Sequence, residues 1–313
     1  MLTHIARHIK NVLMTYSAED HIIFNNTILS TQKENFCSIS NNNEEKTIAF
    51  IDGGQAEILS AGNFCVSFVR VYGIVFRGNT KVDSVKNEFY LFTKAKYELS
   101  EIFYESTLFP VTEKCIDEKD LAISSNDQTI KTGTERAPIT KVTQMARRFA
   151  ELAIAREINA DYIVLDGTLE TTFKNEEKYI SKLPGNVCAI AKTSSLCTTL
   201  GNSPVILLNK LGPEGCWSYQ LHEKTSFVKL HKDAKHVFRF EGDMRILSYL
   251  LKNCTDALFL GYPYGLLLAD TMARVSNAET KSFRIKFLLN KENKDIAEYI
   301  HSSNAHDILD NLG

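Results

Sequence analysis

Two short apolar runs, Thr47-Ile48-Ala49-Phe50-Ile51 and Tyr162-Ile163-Val164-Leu165, each close on an Asp-Gly pair, Asp52-Gly53 and Asp166-Gly167. An apolar run of this length bounded by a turn signal reads as a buried strand. A carboxylate at the exit of such a strand stands at a sheet edge, where loops leave and a cleft can open. The glycine behind it lets the backbone turn sharply and lets a ligand come close. On neighbouring strands, two such carboxylates could share a Mg²⁺ or Mn²⁺, hard cations that prefer oxygen ligands and leave positions open for phosphate and water. Asp and Gly are also ordinary turn residues, so either pair taken alone is accounted for by a plain turn.

The first run is expected to stop at Asp52-Gly53-Gly54. Phe64 to Phe76, rich in β-branched and aromatic residues, reads as a second, longer strand, and Phe89 to Phe92 as a third, making an antiparallel half-sheet. Upstream, residues 1–46 read as a helix followed by a polar, Asn-rich loop over 38–45, set apart from a main domain of 47–313. Residues 113–138 are polar and turn-rich and are expected to form a mobile excursion. From Ile139 to Asn159 a helix is clear: Val142, Ala146, Phe149, Ala153 and Ala160 recur at helical spacing, with Arg147, Arg148, Glu151 and Arg156 elsewhere on the wheel. A further strand covers Asn186 to Lys192. Residues 198–242 read as a β-rich insertion, with alternating strands at Trp217–Leu221, Ser226–Leu230 and His236–Phe240. Helices are expected over 243–253 and 264–278, a last strand at Phe283–Leu289, and a short helix at 294–302. Antiparallel strands, then a helix, then further strands suit an α/β fold of RNase H-like type, a mixed sheet flanked by helices. Periodicity alone suits other α/β folds equally.

With 313 residues, 44% of them hydrophobic, the chain can bury a large core. Its longest apolar stretches, such as Leu266 to Ala269, are too short to cross a bilayer, so no membrane role is expected. The start reads as a helix, not a signal peptide, because His, Arg and Lys interrupt its apolar residues. Seven cysteines, none in a C-x-x-C pair and none at zinc spacing with a His, suit small buried hydrophobes in a reducing cytoplasm. The net charge of −2 excludes a generally basic DNA-coating protein, but not a nuclease that spends negative charge on a local acidic site.

Other residues could join the two aspartates. Glu151 sits among Ala150, Leu152, Ala153 and Ile154, which places it either on a solvated face or turned inward. Lys192, followed by Thr193-Ser194-Ser195, could hold a phosphate or serve as an ordinary strand-end lysine. The serines suit a cap for the next helix, and no G-x-S-x-G elbow makes them nucleophiles. Gly261-Tyr262-Pro263-Tyr264-Gly265 precedes a helix in which Asp270 stands amid apolar residues, where a charge needs a partner such as a metal or a lysine. Tyr262 and Tyr264 could stack on a base, hold a phosphate through the hydroxyl, or pack in the core.

Taken in order, the series resembles the NurA nucleases. It comprises Asp52-Gly53-Gly54, Glu151 in a helix, Val164-Leu165-Asp166-Gly167-Thr168-Leu169, Ala189-Ile190-Ala191-Lys192-Thr193-Ser194, Gly261-Tyr262-Pro263-Tyr264-Gly265-Leu266, Ala269-Asp270 and His306-Asp307-Ile308-Leu309-Asp310. The resemblance implies an RNase H-like core, a homodimer, and a cytoplasmic deoxyribonuclease dependent on Mn²⁺ or Mg²⁺. It further implies 5′–3′ exonuclease and single-strand endonuclease action in DNA end resection and double-strand break repair, beside a HerA-type hexameric ATPase. Carried over by position, Asp52, Glu151, Asp166 and Asp270 would be metal ligands, with Lys192 at the phosphate and Tyr262 orienting the strand. Gly54 stands where the family often has Ser, and Asp270 where some members have His; either side chain at the latter position can bind a metal or move a proton. Two other readings compete: a nucleotide-binding phosphotransferase of related fold, although no P-loop is present, and a non-catalytic relative that binds DNA or a partner.

Overall fold

The structure, a computed structural model, describes residues 1–13 and 20–303. The closing His306–Asp310 piece of the series therefore lies outside the described residues. Helix α1 (Leu2–Leu13) forms where expected and exposes Leu2, Ile5 and Ile9 to solvent. Between it and the Asn-rich loop, polar composition hid three short strands: β1 (Ile22–Phe24), β2 (Thr27–Leu29) and β3 (Phe36–Ser38). β1 and β2 make a hairpin whose two turn residues, Asn25 and Asn26, have φ of 49° and 58°, a conformation asparagine tolerates.

A long antiparallel meander follows: β4 (Thr47–Ala61), β5 (Phe64–Arg77), β6 (Thr80–Glu98) and β7 (Glu101–Pro110), with β8 (Ile123–Ser124) added at its edge. β4 does not stop at Asp52, as its sequence suggested. It runs on through Gly53 and Gly54, which pair with Val71 and Arg70 of β5. The two glycines serve close approach, not a turn. A Cβ on Gly53 would meet Glu151 Oε1 at 2.5 Å, and one on Gly54 would meet the Ala273 carbonyl oxygen at 2.2 Å. β6 extends far beyond Phe89–Phe92, and β7 went unread in the sequence. Residues 113–138 are no excursion either. Ile116, Leu121, Ile123, Ile130 and Ala137 are buried in one cluster with Val142, Ala146 and Phe149. These apolar residues are spaced irregularly, so they carry no periodic signal.

The rest of the chain contributes α2 (Lys141–Glu157), β9 (Tyr162–Asp166), α3 (Glu177–Ile180), β10 (Val187–Ala191), α4 (Pro204–Leu211), β11 (Trp217–His222), β12 (Thr225–Lys229), β13 (Phe238–Glu241), α5 (Leu247–Leu250), α6 (Tyr264–Ala273), α7 (Asn277–Leu288) and α8 (Lys294–Ser303). Among the described residues one 11-stranded sheet runs β3-β11-β12-β13-β10-β9-β4-β5-β6-β7-β8. β9 is parallel to β4, and β10 is parallel to β9. Three meander strands, a helix, and two parallel strands added on the far side of the first constitute the RNase H-like order. The expected β-rich insertion supplies β11 to β13, which extend the sheet antiparallel beyond β10; it also carries α4. Phe283–Leu289, read as a strand, is instead the end of α7 and the residue after it. A capping box of Ser276 and Glu279 starts that helix, and Phe283 and Phe287, four residues apart, pack on the Phe68 cluster.

The sheet buries both faces. Ala49, Ile51, Ile163 and Leu165 pack with α2, and Phe50, Val164 and Ile190 pack with Tyr262, Leu266 and Ala269 around α6. Gly265 lets α6 lie directly on Phe50, whose ring carbon Cδ2 would be 2.0 Å from an added Cβ. Among the described residues no helix is long and apolar enough to cross a membrane.

Candidate active site

Strand alternation decides which acids meet. Asp52 follows Ile48 and Phe50 at period two, and Asp166 follows Tyr162 and Val164, so both aspartates project from the α6 face. The parallel ladder pairs Ile51 with Leu165. One residue further, Asp52 and Asp166 therefore stand side by side. Lys192 comes just after β10, whose Ile190 pairs with Asp166. Glu151 reaches the same level from α2 across the other face, through the gap left by the missing side chain of Gly53.

Asp52 is 6% exposed, and its Oδ1 accepts the Gly53 N–H at 2.7 Å. Burial, followed by the charges of Asp166 and Glu151, pushes its carboxyl up to about 8; the Gly53 N–H and Lys192 offset this only in part. Glu151 is 4% exposed, and its Oε1 accepts from Arg147 Nη1 at 3.0 Å. Burial raises its pKa as well, even with Arg147 and Arg148 beside it. Arg147 Nη1 also donates to the Gly53 carbonyl at 2.9 Å and lies 4.0 Å from Asp52 Oδ1. Behind it, Arg148 Nε donates to Glu176 at 2.7 Å and Nη2 to the Thr168 carbonyl at 2.6 Å. Glu176 is fully buried and also accepts the N–H groups of Thr172 and Phe173. The loop after Asp166 is thereby tied to the helix that carries Glu151.

Lys192 Nζ donates to Asp166 Oδ2 at 2.5 Å and lies 5.2 Å from the centroid of the Tyr262 ring. Burial pulls the ammonium pKa down, but the carboxylates of Asp166, Asp52 and Asp270 outweigh it and keep the pKa above the ordinary lysine value. Tyr262 is fully buried, and its hydroxyl stands beside Asp166 without a well-formed hydrogen bond among the described residues. Burial, with Asp166 and Asp52 nearby, raises its pKa far above that of an ordinary phenol, so it is a neutral donor at any working pH.

Asp270 sits at the rim. Arg274, one helical turn on, donates to its Oδ2 at 2.6 Å, and the Asp270 charge also acts on Lys192. Tyr264, bracketed with Tyr262 in the sequence, stands apart, 40% exposed and packed edge-on against Phe76. Ser194 caps no helix; its Oγ accepts the Leu196 N–H in a local turn. Arg147, Arg148 and Glu176 were missed as site residues. The i,i+4 spacing of Arg147 and Glu151 was a usable signal for the first, whereas nothing in the sequence marks Glu176.

The donor set suits a hard divalent ion. Burial and the charges of Asp166 and Glu151 raise the Asp52 carboxyl, so a cation would stabilise its charged form, and the buried Tyr262 hydroxyl faces the same acids. Among the described residues no three such groups already close on a single point. Arg147 and Lys192 hold carboxylate oxygens of Glu151 and Asp166 instead. A cavity of about 930 Å³ lies elsewhere, between the far ends of β4 to β6 and helices α7 and α8. Aromatic residues such as Phe64, Tyr90, Phe92 and Phe283 line it, and it contains none of these acids, so size does not mark the chemical site here.

A family model, the NurA domain, matches residues 46–275. No curated protein sequence matches the chain. Among solved structures, the NurA nuclease from Sulfolobus solfataricus superposes with a TM-score of 0.55 at 14% identity, over 94% of this chain and 95% of that one. A second NurA crystal structure gives 0.47 at 10% identity, over 94% and 95% of the two chains.

Proposed function

The chain belongs to the NurA family, and on that premise we propose that it is a deoxyribonuclease that hydrolyses phosphodiester bonds with Mn²⁺ or Mg²⁺ at the Asp52–Glu151–Asp166 cluster. The observation that carries this reading is the approach of three carboxylates, distant along the chain, the charges of Asp166 and Glu151 acting on Asp52, with the Lys192 ammonium bonded to Asp166 and the buried Tyr262 hydroxyl beside it. Asp52, Glu151 and Asp166 would hold the ion, with Asp270 approaching from the rim. Bound there, a divalent ion would polarise the phosphate and make water a better nucleophile at neutral pH.

The remaining steps fall to the chain's own groups. Lys192 keeps its proton and places positive charge beside Asp166, where it offsets charge building on the non-bridging phosphate oxygens. Tyr262 offers a neutral O–H to a phosphate oxygen and so orients the strand. Asp270, hinged by its bond to Arg274, positions the attacking water. Action as a 5′–3′ exonuclease and single-strand endonuclease in end resection and double-strand break repair, the homodimer and the HerA-type ATPase partner belong to the same proposal on family likeness. The test is cleavage of linear duplex and single-stranded DNA with Mn²⁺ present and after chelation. Ion-dependent cutting is expected. ATP hydrolysis without cutting would replace this reading with a phosphotransferase, and binding without either activity would leave a non-catalytic relative.

A further inference from the structure

Both carboxylate oxygens of Glu151 face arginines of its own helix, but the two arginines are held differently. Arg148 is buried and locked behind the site by Glu176 and the Thr168 carbonyl, and its Nη1 stays 3.8 Å from Glu151 Oε2. Arg147 has a side chain 33% exposed, and its contacts with the site all run through Nη1. That single nitrogen is 3.0 Å from Glu151 Oε1, 2.9 Å from the Gly53 carbonyl and 4.0 Å from Asp52 Oδ1. It therefore bonds one of the two most buried acids of the cluster and approaches the other, so a cation that used Glu151 Oε1 would compete with it.

A guanidinium and a divalent ion cannot occupy that place together. They repel, and each lone pair of Glu151 Oε1 given to one is withdrawn from the other. We infer that Arg147 is the resident counter-ion of Glu151: it holds that carboxylate while no divalent ion is bound, and it is displaced toward solvent when one arrives. The inference rests on the reading of this cluster as a divalent-ion nuclease centre. Physically, Arg147 solves a folding problem. A buried Glu151 carboxylate without a cation would be strongly disfavoured, and the arginine lets it be buried before its ion is present. The consequence is competition, because every ion that binds must first break the Arg147–Glu151 contact. Arg147, its side chain a third exposed, can make that displacement, whereas the partners of Arg148 forbid it.

Two measurements test this on the full chain, with Mn²⁺ alone as the probe. In calorimetric titration at alkaline pH, where proton competition is small, Arg147→Met should bind Mn²⁺ about tenfold more tightly than the wild type, the equivalent of one charge-assisted hydrogen bond no longer broken. In the wild-type chain, labelling by phenylglyoxal followed by peptide mapping should show Arg147 becoming more reactive at saturating Mn²⁺ while Arg148 does not change; this needs no variant to fold. Unchanged or weaker Mn²⁺ binding by a folded Arg147→Met, or protection of Arg147 by the ion, overturns the inference and leaves the nuclease reading in place if the wild type binds Mn²⁺ and cuts DNA. A wild-type chain that binds no Mn²⁺ overturns both.

Discussion

Replacing Gly53 with alanine puts a methyl group where Glu151 now lies. The new Cβ would be 2.5 Å from Glu151 Oε1 and 2.8 Å from Arg147 Cγ, against the 3.4 Å at which ordinary contact begins. The carboxylate must therefore retreat by roughly 1 Å, and a displacement of that size at a reacting centre costs about 100-fold in rate. Stability should change much less. Alanine recovers about 0.5–1 kcal/mol of the backbone entropy that glycine forfeits in a strand, which partly offsets a strained Arg147–Glu151 hydrogen bond worth about 1.5–3 kcal/mol. The Gly53 N–H that Asp52 accepts is retained. The assay is the initial rate of Mn²⁺-dependent cleavage of labelled linear duplex, alongside a melting curve for each variant. Gly62→Ala is the control, since nothing among the described residues lies within 4 Å of a Cβ there. The expected result is a loss of about two orders of magnitude for Gly53→Ala, with a melting temperature within a few degrees of wild type and a neutral control. Wild-type activity in a well-folded Gly53→Ala protein would show that Glu151 is not a reacting group.

Three other outcomes are expected. Asp52→Ala and Asp166→Ala should each abolish cleavage while circular dichroism and melting show an intact fold; full activity in a folded Asp166→Ala protein rejects the site. The second concerns pH. The Asp52 carboxyl is raised to about 8 from an unfolded value of about 3.9, so the folded chain binds more protons than the unfolded one between those limits. Its contribution is fully present below the lower value and is lost as pH rises through the upper one. In chelator, the melting temperature should fall across that window; Mn²⁺ should reverse most of the fall, and Asp52→Asn should flatten the profile. A profile with the same slope in Asp52→Asn would assign the effect to other groups. Finally, Gly265→Ala drives a Cβ to 2.0 Å from the Phe50 ring and should destabilise the chain by about 1–3 kcal/mol despite alanine's better helix propensity, visible as a lowered denaturant midpoint; an unchanged midpoint would mean that α6 does not rest on β4 through that glycine.

Local pattern carried the fold where one element obeys one period. α2 and the strands β5, β9 and β10 lie where spacing and β-branched content put them. The failures share a cause, which is tertiary contact overriding a local signal. Gly53-Gly54 looks like a stop, yet β5 pairs across it and the neighbouring helices need the space. Phe283–Leu289 looks like a strand, yet its phenylalanines fill one helix face over β5 and β6. The polar residues 113–138 looked mobile because their buried members are few and irregularly spaced, and only the wall formed by α2 and the meander gives those members a place to go.

The site divides along the same line. Its acids were legible because each stands at a punctuation mark, an apolar run meeting a charge, and because their order along the chain matches a family. The arginines that manage those acids were not, since their meaning depends on a missing atom. A side chain at position 53 would push Glu151 and Arg147 back from the sheet, toward one more exposed i,i+4 pair worth a few tenths of a kcal/mol. Burial turns that pair into an ion pair inside the cluster, with Arg147 4.0 Å from Asp52 as well. The glycine read in the sequence as a turn thus decides how α2 meets β4, and with it whether the cluster can accept an ion.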